Sequence, residues 1–175
     1  MGVNRGKDFE KVIKEAFEKV PGVSIDRIHD QMNGYACSAN ISDFIMYRYP
    51  YEYYIECKST HMGTLPFSNI SDKQWNGMLE KSKITGVIAG VICWWIDKDM
   101  TAFIPIQILD VLKNSGYKSV KWDDVHDNPD IFEIPGKKKR VFYDYDMQHF
   151  FNVMNIYYRL THQSEIPTRS GIWPK

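Results

Sequence analysis

The sequence is poor in the features that mark secreted, membrane-bound or metal-stapled proteins. It has three cysteines in 175 residues, Cys37, Cys57 and Cys93. The number is odd and no CxxC pair occurs, so neither a disulfide framework nor a zinc knuckle is expected. The opening Met1-Gly2-Val3-Asn4-Arg5 lacks the pattern of a secretory leader. The longest apolar run, Gly86 to Ile96, is far too short to span a bilayer. A reduced, cytoplasmic protein is therefore expected, with no membrane partner. Net charge is also absent, because 22 basic residues balance 22 acidic ones. Non-specific coating of nucleic acid is thereby disfavoured, although a local basic patch is still allowed. There is no Gly-rich phosphate loop, no Ser-His-Asp ordering, no internal repeat and no low-complexity linker.

The composition that remains is ordinary for a globular domain, with 43% hydrophobic and 25% charged residues. A chain of this length buries roughly 70% of its unfolded surface and needs no covalent staple. Apolar groups at Phe9, Val12, Ile13, Ala16, Phe17 and Val20 have helical spacing over 7–20, ended by Pro21-Gly22. A short strand is expected at 24–28 and a polar loop at 31–40. Residues 42–48 and 51–59 form a hairpin across Tyr49-Pro50. Ser71 caps a helix over 72–83. The run at 86–96 suits a strand buried on both faces, with 100–104 as its antiparallel partner. A short helix starts at Pro105. Short strands at 131–134 and 140–143 flank a basic turn at 136–139, and a last helix covers 146–160. Trp94-Trp95 and Tyr157-Tyr158 read as packing. The predicted fold class is α/β, a mixed central sheet flanked by helices.

The hairpin carries the candidate chemistry. With Tyr49-Pro50 at its tip, Asp43 falls opposite Glu56. Strand alternation puts Tyr54, Glu56 and Lys58 on one face, and Tyr53, Ile55 and Cys57 on the other. Two carboxylates and an ammonium then converge. Neighbouring carboxylates repel unless a cation sits between them, and a hard divalent ion takes such oxygens together with water and phosphate. Lys58 would assist an attacking water or stabilise developing phosphorane charge. The spacing alone leaves a solvated sheet face as the alternative.

Asp43 followed by Glu56-Cys57-Lys58 resembles the PD-(D/E)xK nuclease signature, with Ser42 where many members have Pro. More specifically, the chain resembles Holliday-junction resolvases of the RecU type. Arg5-Gly6-Lys7-Asp8-Phe9-Glu10 is similar to that family's RGxxFE. Ser42-Asp43-Phe44 and Ile55-Glu56-Cys57-Lys58-Ser59-Thr60 are similar to its two acidic strands. Leu65-Pro66-Phe67-Ser68-Asn69 through Gln74 resembles its stalk-to-helix stretch. Ser115-Gly116-Tyr117-Lys118-Ser119-Val120 with Asp123-Asp124 resembles its GRKSI segment. The likeness runs over about 4–155. It departs where two family histidines fall at Ser71 and Lys73 and an arginine falls at Tyr117. A basic N-terminal extension of bacterial members is missing, which suggests a phage-encoded version.

The resemblance implies a restriction-endonuclease-like core with a protruding stalk at about 60–70. Length and the residues after His162 lead to one domain over 1–162, expected to be the nuclease, followed by a flexible tail at 163–175. The implied activity is Mg²⁺-dependent (Mn²⁺ substituting) nicking of four-way DNA junctions by a homodimer, leaving a 5′-phosphate, with recombination proteins as possible partners. Asp43 and Glu56 would be metal ligands, helped by the backbone carbonyl of Cys57. Lys58 would be the catalytic lysine, Glu10 a helix-borne carboxylate near the metal, and Gln74 a neighbour of the scissile phosphate. Glu10 reads equally well as part of a salt-bridged helix surface with Lys7, Lys11 and Lys14. Arg5 and Lys73 would contact DNA. Leu65 and Phe67 would wedge into the junction centre, the alternative being a loop that packs back on the core, as is commoner in ordinary proteins. Lys137, Lys138, Lys139 and Arg140, four cations in succession, would hold phosphates. His61 is read as an ordinary surface histidine or a general base. The alternatives are the same fold cutting other DNA structures, or a non-catalytic branched-DNA binder.

Overall fold

A computed structural model describes residues 5–28 and 40–162. Cys37, most of the expected 31–40 loop and the expected tail after His162 lie outside the described residues. Helix α1 (Arg5–Glu18) buries Phe9, Ile13, Ala16 and Phe17, the apolar stripe predicted from their spacing. The chain then reverses at Gly22, whose φ of 77° suits a residue without a Cβ. Strand β1 (Ser24–Arg27) follows, then the hairpin of β2 (Phe44–Arg48) and β3 (Tyr51–Thr60). Phe44 pairs with Ile55 and Arg48 with Tyr51, the register set by a Tyr49-Pro50 tip.

Next come β4 (Thr64–Pro66), α2 (Asp72–Lys81), β5 (Val87–Trp95), β6 (Met100–Pro105) and α3 (Ile106–Asn114). The chain closes with β7 (Ser119–Lys121), α4 (Asp124–Asp127), β8 (Phe132–Glu133), β9 (Gly136–Lys138), β10 (Tyr143–Tyr145) and α5 (Met147–Thr161). Six strands form one sheet in the order β1-β2-β3-β5-β6-β8. Its β3–β5 pair is parallel and the others are antiparallel, so the sheet is mixed, as predicted. The parallel pair requires a crossover, which α2 supplies.

Helices cover both faces. Phe9, Ile13 and Phe17 of α1 and Phe150, Phe151 and Met154 of α5 pack on Tyr53, Ile55, Ile92 and Trp94. On the other face Trp75 and Met78 of α2 and Ile106 and Leu109 of α3 pack on Tyr54, Val91, Cys93 and Trp95. Every residue of β5 is buried, which explains its unbroken apolar sequence. Trp94 and Trp95 are core. Gly90 in β5 is there because the paired strand comes too close for a side chain. A Cβ would lie 2.4 Å from the Ile104 carbonyl oxygen and 2.6 Å from the Phe103 ring. Gly90→Ala is accordingly expected to cost about 3 kcal/mol, the upper end for overpacking, as read from urea unfolding.

Two expectations are corrected. The apolar residues of the expected stalk face inward. Leu65 is 0% exposed and Phe67 7%, within the second core, and Phe67 packs against Trp75 at 5.4 Å. Strand β4 is tied down by antiparallel pairing with β7, more than fifty residues later. The expected basic turn is instead strand β9, paired with β10, and the chain turns at 139–142. Alternation of Tyr143 and Tyr145 on β10 supplies the ladder partner that the lysine run itself does not signal.

Candidate active site

The hairpin brings Asp43, Glu56 and Lys58 together at the end of the sheet where α1 and α2 approach from opposite faces. Asp43 directly precedes β2, and its Oδ2 accepts the Cys57 backbone N–H at 2.7 Å. That bond holds the Asp43 carboxylate against β3. Glu56 is 1% exposed, so the solvated-face alternative fails for it. Its Oε1 accepts the Lys58 ammonium at 2.7 Å and the Gln74 Nε2 at 2.6 Å. Its Oε2 is buried with no hydrogen-bond partner among the described residues. A buried carboxylate oxygen without a donor is costly, and such an atom calls for a ligand outside the protein.

Gln74 is aimed by a helix cap. Ser71 and Gln74 form a reciprocal capping box at the start of α2, with the Ser71 N–H donating to Gln74 Oε1 at 3.0 Å. Because that oxygen is engaged by the cap, the NH₂ end must face Glu56. The Ser-x-x-Gln spacing was the available signal for this role. Glu10 approaches from α1 and is ion-paired with Arg27 at the end of β1. Nothing in the sequence pointed to Arg27.

Electrostatics tie the three carboxylates together. Burial first, and then the Asp43 charge, push the Glu56 carboxyl up to about 7, with Lys58 opposing. Glu10 is raised for the same two reasons, burial and Asp43, opposed by Arg27. Mutual repulsion of this kind is what a divalent cation relieves. The residues present fit such an ion. Asp43 and Glu56 offer hard oxygens, one of them without a protein donor, and Mg²⁺ commonly uses one or two carboxylates with water and phosphate. Among the described residues no group of three or more His, Cys, Asp or Glu side chains is gathered for a metal. The Cys57 thiol lies in the first core, and burial pushes its pKa well up. The sulfur stays protonated, leaving only the main chain of that residue to take part.

Glu56 also gives a pH prediction. A carboxyl raised from 4.5 to about 7 on folding means that the folded state holds the proton more tightly. Stability therefore falls as pH rises between those values, by on the order of 3 kcal/mol at most. Unfolding in EDTA at pH 5 and pH 8 should show this loss. Glu56→Gln should flatten it, and Mg²⁺ should restore stability more at pH 8 than at pH 5. Parallel wild-type and variant profiles would contradict it.

The other expected site residues are dispersed. Arg5 donates to His61 Nε2 at 2.8 Å, and His61 Nδ1 lies 2.9 Å from Asp97 Oδ1. Arginine can only donate, so Nε2 accepts and Nδ1–H faces Asp97. His61 is thus engaged on both nitrogens. Lys73 is exposed on α2, one residue before Gln74. The basic cluster lies beside Lys19, about 20 Å along α1 from Arg5. Lys138 is paired with Asp99, and Lys139 lies 3.6 Å from Asp144, which Lys19 also contacts. Lys137 and Arg140 are exposed and carry no ion pair among the described residues.

No family model and no curated protein sequence matches the chain. Among solved structures it is similar to Hjc of Archaeoglobus fulgidus, a Holliday junction resolvase from an archaeal hyperthermophile. The match has 16% identity and a TM-score of 0.41, over 61% of this chain and 78% of that one. No helix among the described residues is long and apolar enough to cross a membrane.

Proposed function

We propose that the protein is a divalent-metal-dependent nuclease that hydrolyses DNA phosphodiesters. The observation that carries this reading is the buried Glu56 carboxylate, with one oxygen held by Lys58 and Gln74 and the other without a protein donor. Asp43 and Glu56 would hold Mg²⁺ or Mn²⁺, the main chain at Cys57 lying next to them. When bound, such an ion supplies an activated water and neutralises phosphate charge. Lys58 remains to orient the nucleophile or offset charge that builds on the phosphate, and its contact with Glu56 holds it in place. Gln74 fixes the orientation of the Glu56 carboxylate. Glu10, steadied by Arg27, is the third acid close enough to influence the pair.

For substrate we favour branched DNA cut by paired nicks, which rests on the RecU-type sequence motifs. A two-fold dimer would match a two-fold junction. A second reading, the same chemistry on another DNA structure, gains from the burial of Leu65 and Phe67, which removes the apolar wedge. Incubation of a labelled immobile four-way junction and a matched duplex, in Mg²⁺ or EDTA, separates the two. Metal-dependent paired nicks in the junction alone support the junction reading. Equal cutting of both retains the nuclease and rejects the junction. Binding without cutting, in Mg²⁺ and again with Mn²⁺ in its place, rejects the nuclease.

A further inference from the structure

A groove of about 750 Å³ lies at the opposite end of the hairpin from Asp43 and Glu56, between the Tyr49-Pro50 tip and α5. It is on the α1/α5 face of the sheet, whereas Glu56 contacts α2 on the other face. Neither the site above nor the motifs that led to it use this groove. Its lining includes Arg48, Arg159, Asn152 and Asn155, and among the described residues no Asp or Glu lines it.

The hydrogen bonds around it run in one direction. The Arg48 guanidinium sits 4.3 Å over the Phe151 ring and donates to Gln148 Oε1 at 3.0 Å. That leaves Gln148 Nε2 to donate to Asn152 Oδ1, also at 3.0 Å. Asn155 Oδ1 accepts from the Tyr51 hydroxyl at 3.3 Å. Each asparagine oxygen thus already accepts one hydrogen bond from within the protein, and the NH₂ of each is left to donate to the groove. Gln148, Asn152, Asn155 and Arg159 follow one another at helical spacing along a single stripe of α5. Arg159 has no ion pair among the described residues. The groove thus presents two guanidiniums and two amide donors, without an opposing carboxylate. At its rim the Tyr49 ring is 84% exposed.

A cluster rich in donors and poor in acceptors suits an anion, and guanidinium pairs suit phosphate in particular. An exposed aromatic ring beside it suits a flat heterocycle, since any nucleobase can stack on it. We propose that this groove binds a nucleotide unit, with its phosphate against Arg48, Arg159 and the Asn152 and Asn155 amides and its base on Tyr49. The unit belongs either to a DNA strand or to a free nucleotide. The assignment does not depend on the nuclease reading.

The test is made in EDTA on the full chain, so that cleavage and the Asp43/Glu56 site are out of play. Side-chain amide signals of Asn152 and Asn155 are followed by NMR during titration with dTMP, oligothymidylate and inorganic phosphate. Labelled oligothymidylate binding is measured by anisotropy for wild type, Asn152→Asp, Arg159→Glu and Tyr49→Ala. The proposal expects both amides to shift with the nucleotide probes. It expects each exposed substitution to weaken oligonucleotide binding by roughly fivefold or more. Asn152→Asp is the sharpest variant, because it keeps shape while replacing donors by an anion. Saturation by oligothymidylate at much lower concentration than dTMP identifies a strand as the source, and equal saturation identifies a free nucleotide. Unmoved amides, or variants that bind like wild type, overturn the proposal. Phosphate alone reproducing the shifts, with Tyr49→Ala silent, overturns the nucleotide assignment.

Discussion

Asp43→Asn is expected to lower metal-dependent DNA cleavage by roughly 10³-fold, about 4 kcal/mol of transition-state stabilisation, while DNA binding survives. Asparagine keeps the size of the side chain, and its Oδ1 can still accept the Cys57 N–H that Asp43 Oδ2 now accepts. The local fold is therefore preserved and only the charge is removed. Glu56→Gln should act in the same direction. Lys58→Ala should cost roughly 10²–10³-fold, in the range for removing a preorganised donor. It also leaves the buried Glu56 without its ammonium partner, so its stability must be measured alongside. Single-turnover cleavage with binding measured in EDTA separates these effects. An Asp43→Asn protein that cuts within tenfold of wild type would contradict the assignment of that residue.

The second large effect concerns folding. Leu65→Ala is expected to destabilise the protein by about 2–5 kcal/mol, the cost of deleting a buried leucine side chain. Leu65 is fully buried, on a short strand fastened to β7, and Phe67 next to it packs on Trp75 of α2. A leucine at an exposed tip would instead tolerate alanine within about 0.5 kcal/mol. Urea unfolding measures the difference. DNA affinity per folded molecule should stay unchanged, because the side chain does not reach the surface. A neutral stability effect with weakened junction binding would restore the wedge role that the sequence suggested.

The contrast between these two sites shows what the chain reveals in one dimension. Strand alternation and the Tyr49-Pro50 tip were enough to place Asp43 opposite Glu56, because a hairpin register depends on local residues. The all-apolar β5 was legible for a similar reason. Leu65-Pro66-Phe67 was legible as apolar, but not which side it faces. That depends on β7, a partner far along the chain whose three residues carry no strand signal of their own. The parallel pairing of β3 with β5 was hidden likewise, since it is decided by how α2 packs. Lys137-Lys138 looked like a turn until Tyr143 and Tyr145 gave it a partner. Within the site, Gln74 was expected beside the scissile phosphate, and its bond to Glu56 was not foreseen, although the Ser71–Gln74 capping spacing was there to be read. The Glu10–Arg27 pair joins a helix to a strand edge by tertiary packing alone. The near-complete burial of Glu56 also came from packing, and it separates this carboxylate from an ordinary surface acid.

Asp43 and Glu56 are proposed to form one divalent-cation site together. Mn²⁺ binding measured by electron paramagnetic resonance, on wild type, Asp43→Asn and Glu56→Gln, tests it without any assumption about the DNA substrate. Stoichiometric binding by wild type, lost or greatly weakened in both variants while each remains folded, is the predicted result. Binding that is equal in all three proteins, or absent from wild type both with and without DNA, would contradict it.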